Sequence, residues 1–397
     1  MPHPDATLEL STLQRGPDYV RCMEVFVTNQ CNMGCTNCCV ATSEGASDAV
    51  SLTWKDLKPA IDIFMDPAQT PYNGKKAIVF AGGESLIEYP LILRSLKYAH
   101  ETFEMPPYVE VYTNGSMITR EMVENLQRYE ATIIFSLDGG KEGNDLYRTF
   151  SCAPEKSVFD EVMRRLDGIP KTGCATNTII HPGNLQGLVE ALDHFNKIGF
   201  GQIDMWLDYL HLWTPFEVAA LEDFMKELCA YYVRRTREEG RIPFIVPMIN
   251  HALYNGSELA KGRTWWKDCF RLVLGADGHF YDCEGALLLP YQRIADSNNV
   301  NKPSDGKGVD WAARQAYMDE ADIYMETLGA DKDWQDVCPR MYYKAMGLMG
   351  QDSRHMVDNL HRTSRAFLLG LVKLADELKD NESFKQTYLK KVLDTPG

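Results

Sequence analysis

Three cysteines, Cys31, Cys35 and Cys38, stand at CxxxCxxC spacing in the stretch VFVTNQCNMGCTNCCV, straight after a β-branched run. Thiolates this close on one short loop can hold a metal centre, and the two chemistries that use them are an iron–sulfur cluster and zinc. Zinc more often takes two separated CxxC knuckles, whereas clusters take closely spaced thiolates. Three local ligands on a four-iron cluster leave one iron open. The chain has 11 cysteines, an odd and unevenly placed set. In a reducing compartment that favours metal ligands or reactive thiols over a disulfide framework.

Other polar groups recur at the ends of apolar runs. The first half repeats one rhythm: a β-branched run, a Gly/Asn/Ser-rich turn, then a stretch with helical spacing. The runs are MEVFVTN, KAIVFAGG, YVEVYTNG, ATIIFSLDGG, CATNTIIHPGN and GQIDMWLDYL. Strands alternating with helices predict a parallel sheet, here a partial (β/α)6, TIM-like barrel of α/β class, with functional groups at the C-terminal strand ends. Gly82-Gly83-Glu84, Thr113-Asn114-Gly115 and Ser136-Leu137-Asp138-Gly139 sit at those ends, Arg148 follows the fourth strand, and Asn177 lies in the fifth.

In this order the motifs resemble the radical S-adenosylmethionine enzymes, over roughly residues 20 to 210. The resemblance implies that Cys31, Cys35 and Cys38 hold a 4Fe–4S cluster whose open iron binds the methionine end of S-adenosylmethionine. Reductive cleavage then yields a 5′-deoxyadenosyl radical that abstracts hydrogen from substrate. It further implies a cofactor seat made of Gly82, Gly83, Glu84, Thr113, Asn114, Ser136, Asp138, Arg148 and Asn177. Glycines let backbone approach the cofactor, Glu84 accepts from its ammonium, and Arg148 and Ser136 meet its carboxylate or ribose. Two positions depart from the family pattern: Asn37 stands where an aromatic residue is usual, and Ser85 where proline is common.

Cys269, Gly278, Cys283 and Cys338 are similar to the opening of the auxiliary-cluster extensions found in that family, of SPASM or twitch type. Three cysteines, and not seven, lie beyond Cys229, so the resemblance implies a single auxiliary 4Fe–4S cluster. The expected organisation is a lead-in at 1–20, the barrel at 21–210 and a linker helix region at 211–260. An α+β auxiliary-cluster domain follows at 261–345, and C-terminal helices at 346–397. TPFEVAALEDFMKELCAYYVRRTREEG opens with a capping box at Thr214 and Glu217 and closes on Gly240, which predicts one long helix. Asp277-Gly278 predicts a hairpin, and a helix is expected from about Ser353.

Candidate acid–base groups are Asp204 and Asp208, on one face of the sixth strand with Trp206 between them, and His181 just past the fifth. Cys152, on a loop after the fourth strand, is a candidate hydrogen donor to a substrate radical. Cys22, Cys39, Cys152, Cys174 and Cys229 also have the plainer reading of packed or bystander thiols. With Asn177 pointing inward, strand alternation points Cys174 outward.

The formal net charge of −15 repels polyanions and disfavours nucleic acid as substrate. The sequence contains no apolar run long enough for a membrane span and no signal-peptide pattern, so a cytoplasmic protein is expected. The auxiliary cluster implies modification of a peptide or protein side chain. The alternative is a small-molecule dehydrogenase or epimerase acting on an alcohol or amino sugar, and a remote one is a zinc-stabilised binding protein. The some 20 residues ahead of the first strand are too few for a separate leader-recognition domain. A flavodoxin or ferredoxin is the expected reductant.

Overall fold

Each apolar run read as a strand forms one, because alternating β-branched residues give a strand one face for helices and another for the barrel interior. They are β1 (Cys22–Phe26), β2 (Ala77–Ala81), β3 (Tyr108–Thr113), β4 (Thr132–Ser136), β5 (Cys174–Ile180) and β6 (Ile203–Leu207), all parallel. These come from a computed structural model that describes residues 18–38, 49–72, 74–209, 211–250, 252–253, 270–282, 284–287, 301–306, 308–327 and 353–389. Cys39, Cys269, Cys283 and Cys338 lie outside the described residues.

The intervening helices are α1 (Trp54–Met65), α2 (Tyr89–Thr102), α3 (Arg120–Gln127), α4 (Lys141–Tyr147), α5 (Val158–Leu166) and α6 (Leu188–Lys197). Helix α4 was not legible, since KEGNDLY contains two poor helix formers. Gly143 is there for contact: a Cβ on it would lie 2.9 Å from that of Asn184, in the turn after β5. Helix α7 (Pro215–Glu239) carries the expected Thr214 capping box and ends at Gly240 in the left-handed region, φ +69°. After it the chain returns to the edge of β6, where Ile203 N–H donates to Ile245 O at 2.9 Å and Ile245 N–H to Gly201 O at 2.8 Å. That pairing covers an otherwise open strand edge.

The hairpin at Asp277-Gly278 joins β7 (Arg271–Leu274) to β8 (Phe280–Tyr281). β7 pairs in parallel with β1, giving one sheet of order β6-β5-β4-β3-β2-β1-β7-β8, so the hairpin extends the barrel sheet instead of founding another. Beyond it come α8 (Trp311–Thr327) and α9 (Ser353–Leu378). Helix α9 lies against α7, and the Asn359 amide exchanges hydrogen bonds with the Trp213 backbone.

Outward residues such as Ile78, Phe80, Val111, Ile133, Phe135 and Met205 are fully buried in the core beneath the helices. On the opposite face Val79, Glu110, Tyr112, Ser136, Asn177 and Trp206 are only half-buried. The barrel interior therefore remains accessible between its walls. Among the described residues no helix is long and apolar enough to cross a membrane.

Candidate active site

The loop bearing the three cysteines leaves β1 and lies across the C-terminal ends of its neighbours, tied down at three places. First, Gly83 N–H donates to Thr28 O and Glu84 N–H to Gln30 O, both at 2.8 Å. A Cβ on Gly82 would come within 2.5 Å of Thr28 O, and one on Gly83 within 2.2 Å of Gln30 O. The two glycines thus admit the cysteine loop's own backbone. Second, the Asn114 amide after β3 donates to Asn32 Oδ1 at 2.9 Å and lies 3.9 Å from Cys31 Sγ, while the Asn32 amide donates to Ser116 Oγ at 2.8 Å. Third, the segment after α4 pairs with the loop as a short antiparallel ladder. Gly34 N–H donates to Thr149 O at 2.9 Å, Thr36 N–H to Tyr147 O at 3.0 Å, and Ser151 N–H to Asn32 O at 3.2 Å.

Cys31, Cys35 and Cys38 are each half-buried. Burial pushes Cys31 up to about 12, against a hydrogen bond from Met33 N–H, which lies 3.4 Å from its sulfur. Burial also raises Cys35, and the nearby Arg148 guanidinium pulls it the other way. Among the described residues no three ligating side chains are gathered closely enough to hold a metal ion, so the loop is a donor set and not a preformed cage. Its chemistry fits a thiolate-held cluster: three thiols on one anchored loop, an amide hydrogen at one sulfur and a fixed cation beside another.

Glu84 is buried and ties β2 to β3, accepting from Thr113 Oγ1 at 2.7 Å, Asn114 N at 2.7 Å and Leu86 N at 3.0 Å. Burial raises its pKa. Two bonds reach Oε1 and one reaches Oε2, which leaves that oxygen further acceptor capacity. Asp138, fully buried, accepts at Oδ1 from Arg148 Nη2 at 3.0 Å and from Ile179 N at 2.8 Å, and its Oδ2 lies 2.8 Å from Arg148 Nε as an ion pair. This ion pair holds the guanidinium of Arg148 beside Asp138. Ladder register sets Ser136, Asn177 and Asp204 in one row across β4, β5 and β6. Asn177 Oδ1 is buried in that row with no hydrogen-bond partner.

Asp204 is buried beside Glu110, and desolvation pushes its carboxyl up to about 7, against the amide of Gln202 at 3.1 Å. Asp208, one residue past β6, faces His181, with Oδ2 and Nε2 3.7 Å apart. His181 Nδ1 meets the Tyr147 hydroxyl and accepts from Gly183 N at 3.2 Å. Burial, reinforced by His211, holds His181 down to about 4 and hence neutral. Cys152 is exposed, one residue beyond the ladder that straps the cysteine loop. Cys174 packs into the outer core, as strand alternation requires, Cys22 is buried, and Cys229 is half-buried on α7.

Sequence reasoning passed over Glu24, Glu110, Tyr112 and Arg271 on the inner face. The signal was there in CMEVF and YVEVYT, where one acid interrupts an apolar strand at the alternating position.

A model of the Radical SAM superfamily matches residues 25–195. The antilisterial bacteriocin subtilosin biosynthesis protein AlbA of Bacillus subtilis (strain 168) is 27% identical over 124 residues, 31% of this chain and 25% of AlbA. The match thus spans about a quarter of that relative. Among solved structures, native anSMEcpe with bound AdoMet and Cp18Cys peptide superposes at a TM-score of 0.56 and 18% identity, covering 72% of this chain and 77% of the other. The form with AdoMet alone gives 0.56 at 17% identity, covering 72% and 78%. At these identities the likeness is one of fold.

Proposed function

We propose that residues 25–195, which a model of the Radical SAM superfamily matches, form a radical S-adenosylmethionine domain, and that the protein cleaves S-adenosylmethionine reductively and takes hydrogen from a side chain of a peptide or protein. The observation that carries this reading is the cysteine loop, anchored by the turns after β2 and β3 and by the segment after α4, on a sheet whose polar row includes Asn177 Oδ1, an acceptor without a hydrogen-bond partner among the described residues. Bound there, a 4Fe–4S cluster and S-adenosylmethionine would supply one-electron reduction and radical hydrogen abstraction.

The chain's own residues would do the rest. Cys31, Cys35 and Cys38 hold the cluster, with Arg148 favouring the thiolate at Cys35. Gly82 and Gly83 bring the β2 turn against the loop, and Glu84, Thr113 and Asn114 brace it. Asn177 Oδ1 takes a hydroxyl proton of the ribose, and Ser136 lies beside it. Arg148, aligned by Asp138, faces the cofactor's carboxylate. Asp204 accepts the proton that leaves an oxidised substrate. Asp208 orients His181. Cys269, Cys283 and Cys338 hold an auxiliary 4Fe–4S cluster, and a cytoplasmic flavodoxin or ferredoxin supplies electrons. The peptide substrate class draws on AlbA, named for bacteriocin biosynthesis, and on anSMEcpe, solved with a peptide.

The test uses reconstituted protein, dithionite and S-adenosylmethionine with deuterated peptides. Deuterium carried into 5′-deoxyadenosine from a peptide side chain is the expected result. Deuterium arriving from alcohols or amino sugars and not from peptides would transfer the proposal to the small-molecule class. The exposure of Cys152 favours a second reading, epimerisation, in which that thiol returns hydrogen to the substrate carbon. Product formed in D2O would then gain deuterium with wild type and not with Cys152→Ala.

A further inference from the structure

The turn that follows β3, Asn114-Gly115-Ser116, meets the cysteine loop through a ring of three side chains whose donor and acceptor ends are all fixed. The Asn114 backbone N–H donates to Glu84 Oε2 at 2.7 Å, and the side-chain Oδ1 accepts from Ser116 N at 2.9 Å and from Ser116 Oγ at 2.6 Å. The other end of the amide is therefore its NH2 group, since a flipped amide would set nitrogen against a backbone N–H. That group donates to Asn32 Oδ1 at 2.9 Å, and the Asn32 amide donates to Ser116 Oγ at 2.8 Å, which closes the ring. Asn114 and Ser116 are both buried.

A primary amide has two hydrogens, and the ring uses one. The other is left to Cys31 Sγ, which lies 3.9 Å from Asn114 Nδ2. Met33 N–H, 3.4 Å from the same sulfur, is a main-chain donor that any residue but proline would supply. Asn114 is a donor that this sequence selects, and it arrives from another strand end, so the contact depends on the fold and not on the cysteine spacing. Hydrogen bonds to ligand sulfurs help to set the reduction potential of an iron–sulfur cluster. The reason is charge: reduction adds a negative charge that the sulfurs share, and a fixed donor there favours the reduced form. Burial strengthens the effect, and a donor already locked in place needs no reordering when the electron arrives.

We propose that Asn114, locked by Asn32 and Ser116, is a positioning residue that raises the reduction potential of an iron–sulfur cluster bound through Cys31. The proposal rests on the reading in which Cys31, Cys35 and Cys38 hold a 4Fe–4S cluster, and it gives Asn114 a task beyond bracing the loop. Its consequence is an easier one-electron reduction, whether the electron comes from dithionite or from a flavodoxin or ferredoxin.

The test reads a potential and needs neither S-adenosylmethionine nor substrate. Full-length protein, reconstituted anaerobically, is titrated with dithionite in the presence of redox mediators, and the reduced cluster is followed by electron paramagnetic resonance. The signal followed is the one that disappears when Cys31, Cys35 and Cys38 are all replaced by alanine. In Asn114→Leu, which has no side-chain donor, the midpoint should become more negative. The reduced-to-oxidised ratio at a fixed potential should fall about threefold to tenfold, tenfold being about 59 mV for one electron. Ser116→Ala keeps the donor and opens the ring, so its shift should have the same sign and be smaller. Should Asn114→Leu bind no iron, Ser116→Ala carries the test alone. A midpoint that is unchanged or more positive, in a variant with wild-type iron, overturns the role of Asn114 and leaves the cluster assignment standing. If no signal disappears in the triple-alanine variant, the cluster assignment fails first and this proposal falls with it.

Discussion

Asp204 shows how one position couples pH to both stability and chemistry. Burial beside Glu110 lifts its carboxyl from 3.8 to about 7. Between those values the folded protein keeps a proton there that the unfolded chain has released. Its contribution to stability is thus fully present below about pH 4 and is lost as pH rises through about 7. Asp204→Asn removes the titration, so the melting temperature of the variant should fall less than that of wild type across this window. Superimposable curves would contradict the assignment. If Asp204 is the proton acceptor, product formation should rise to a plateau above about pH 7, and Asp204→Asn should form 5′-deoxyadenosine without oxidised product. Arg148 makes a second case. Arg148→Ala strips the buried Asp138 of its charged partner, at a cost of about 3–5 kcal/mol, read as a lowered denaturation midpoint. Arg148→Lys keeps the charge and loses the planar guanidinium, so it should restore part of the stability and little of the cofactor affinity.

At the scale of elements, the cysteine loop depends on what its neighbours do not have. Gly83→Ala sets a Cβ 2.2 Å from Gln30 O, a backbone atom with nowhere to go. It should cost about 1–3 kcal/mol and reduce the iron bound after reconstitution. Thr214→Ala makes the contrast: it breaks the capping box of α7, costs about 1 kcal/mol, and should leave iron content unchanged. Iron loss in both variants would mean that the loop responds to global stability and not to its own anchors. The caps and strands were legible because they are local, written in period-two runs, Thr214 to Glu217, and Gly240. The ladder between Met33 and Phe150 was not, since it joins segments far apart in sequence through backbone groups that any residue supplies. For the same reason the ion pair of Arg148 with Asp138 escaped a reading that could only assign Arg148 a ligand.

Across the whole molecule, alternation decides what the barrel can do. Apolar residues at one parity bury under the helices, and the other parity carries polar groups, Ser136, Asn177 and Glu110 half-buried and Asp204 and Glu24 buried. The alternation was visible in each strand; the row of Ser136, Asn177 and Asp204 was not, because it needs the register of β4, β5 and β6. Arg271, in the stretch expected as the auxiliary-cluster domain, pairs with Glu24 of β1. The central claim is that Cys31, Cys35 and Cys38 hold the cluster that initiates chemistry, and one measurement addresses it directly. Iron per chain and 5′-deoxyadenosine formed on dithionite are determined after anaerobic reconstitution, for wild type and for a variant with all three cysteines replaced by alanine. The account predicts that the variant loses about four irons per chain together with all 5′-deoxyadenosine. Iron retained at the wild-type level, or 5′-deoxyadenosine still formed without those three thiols, would contradict it.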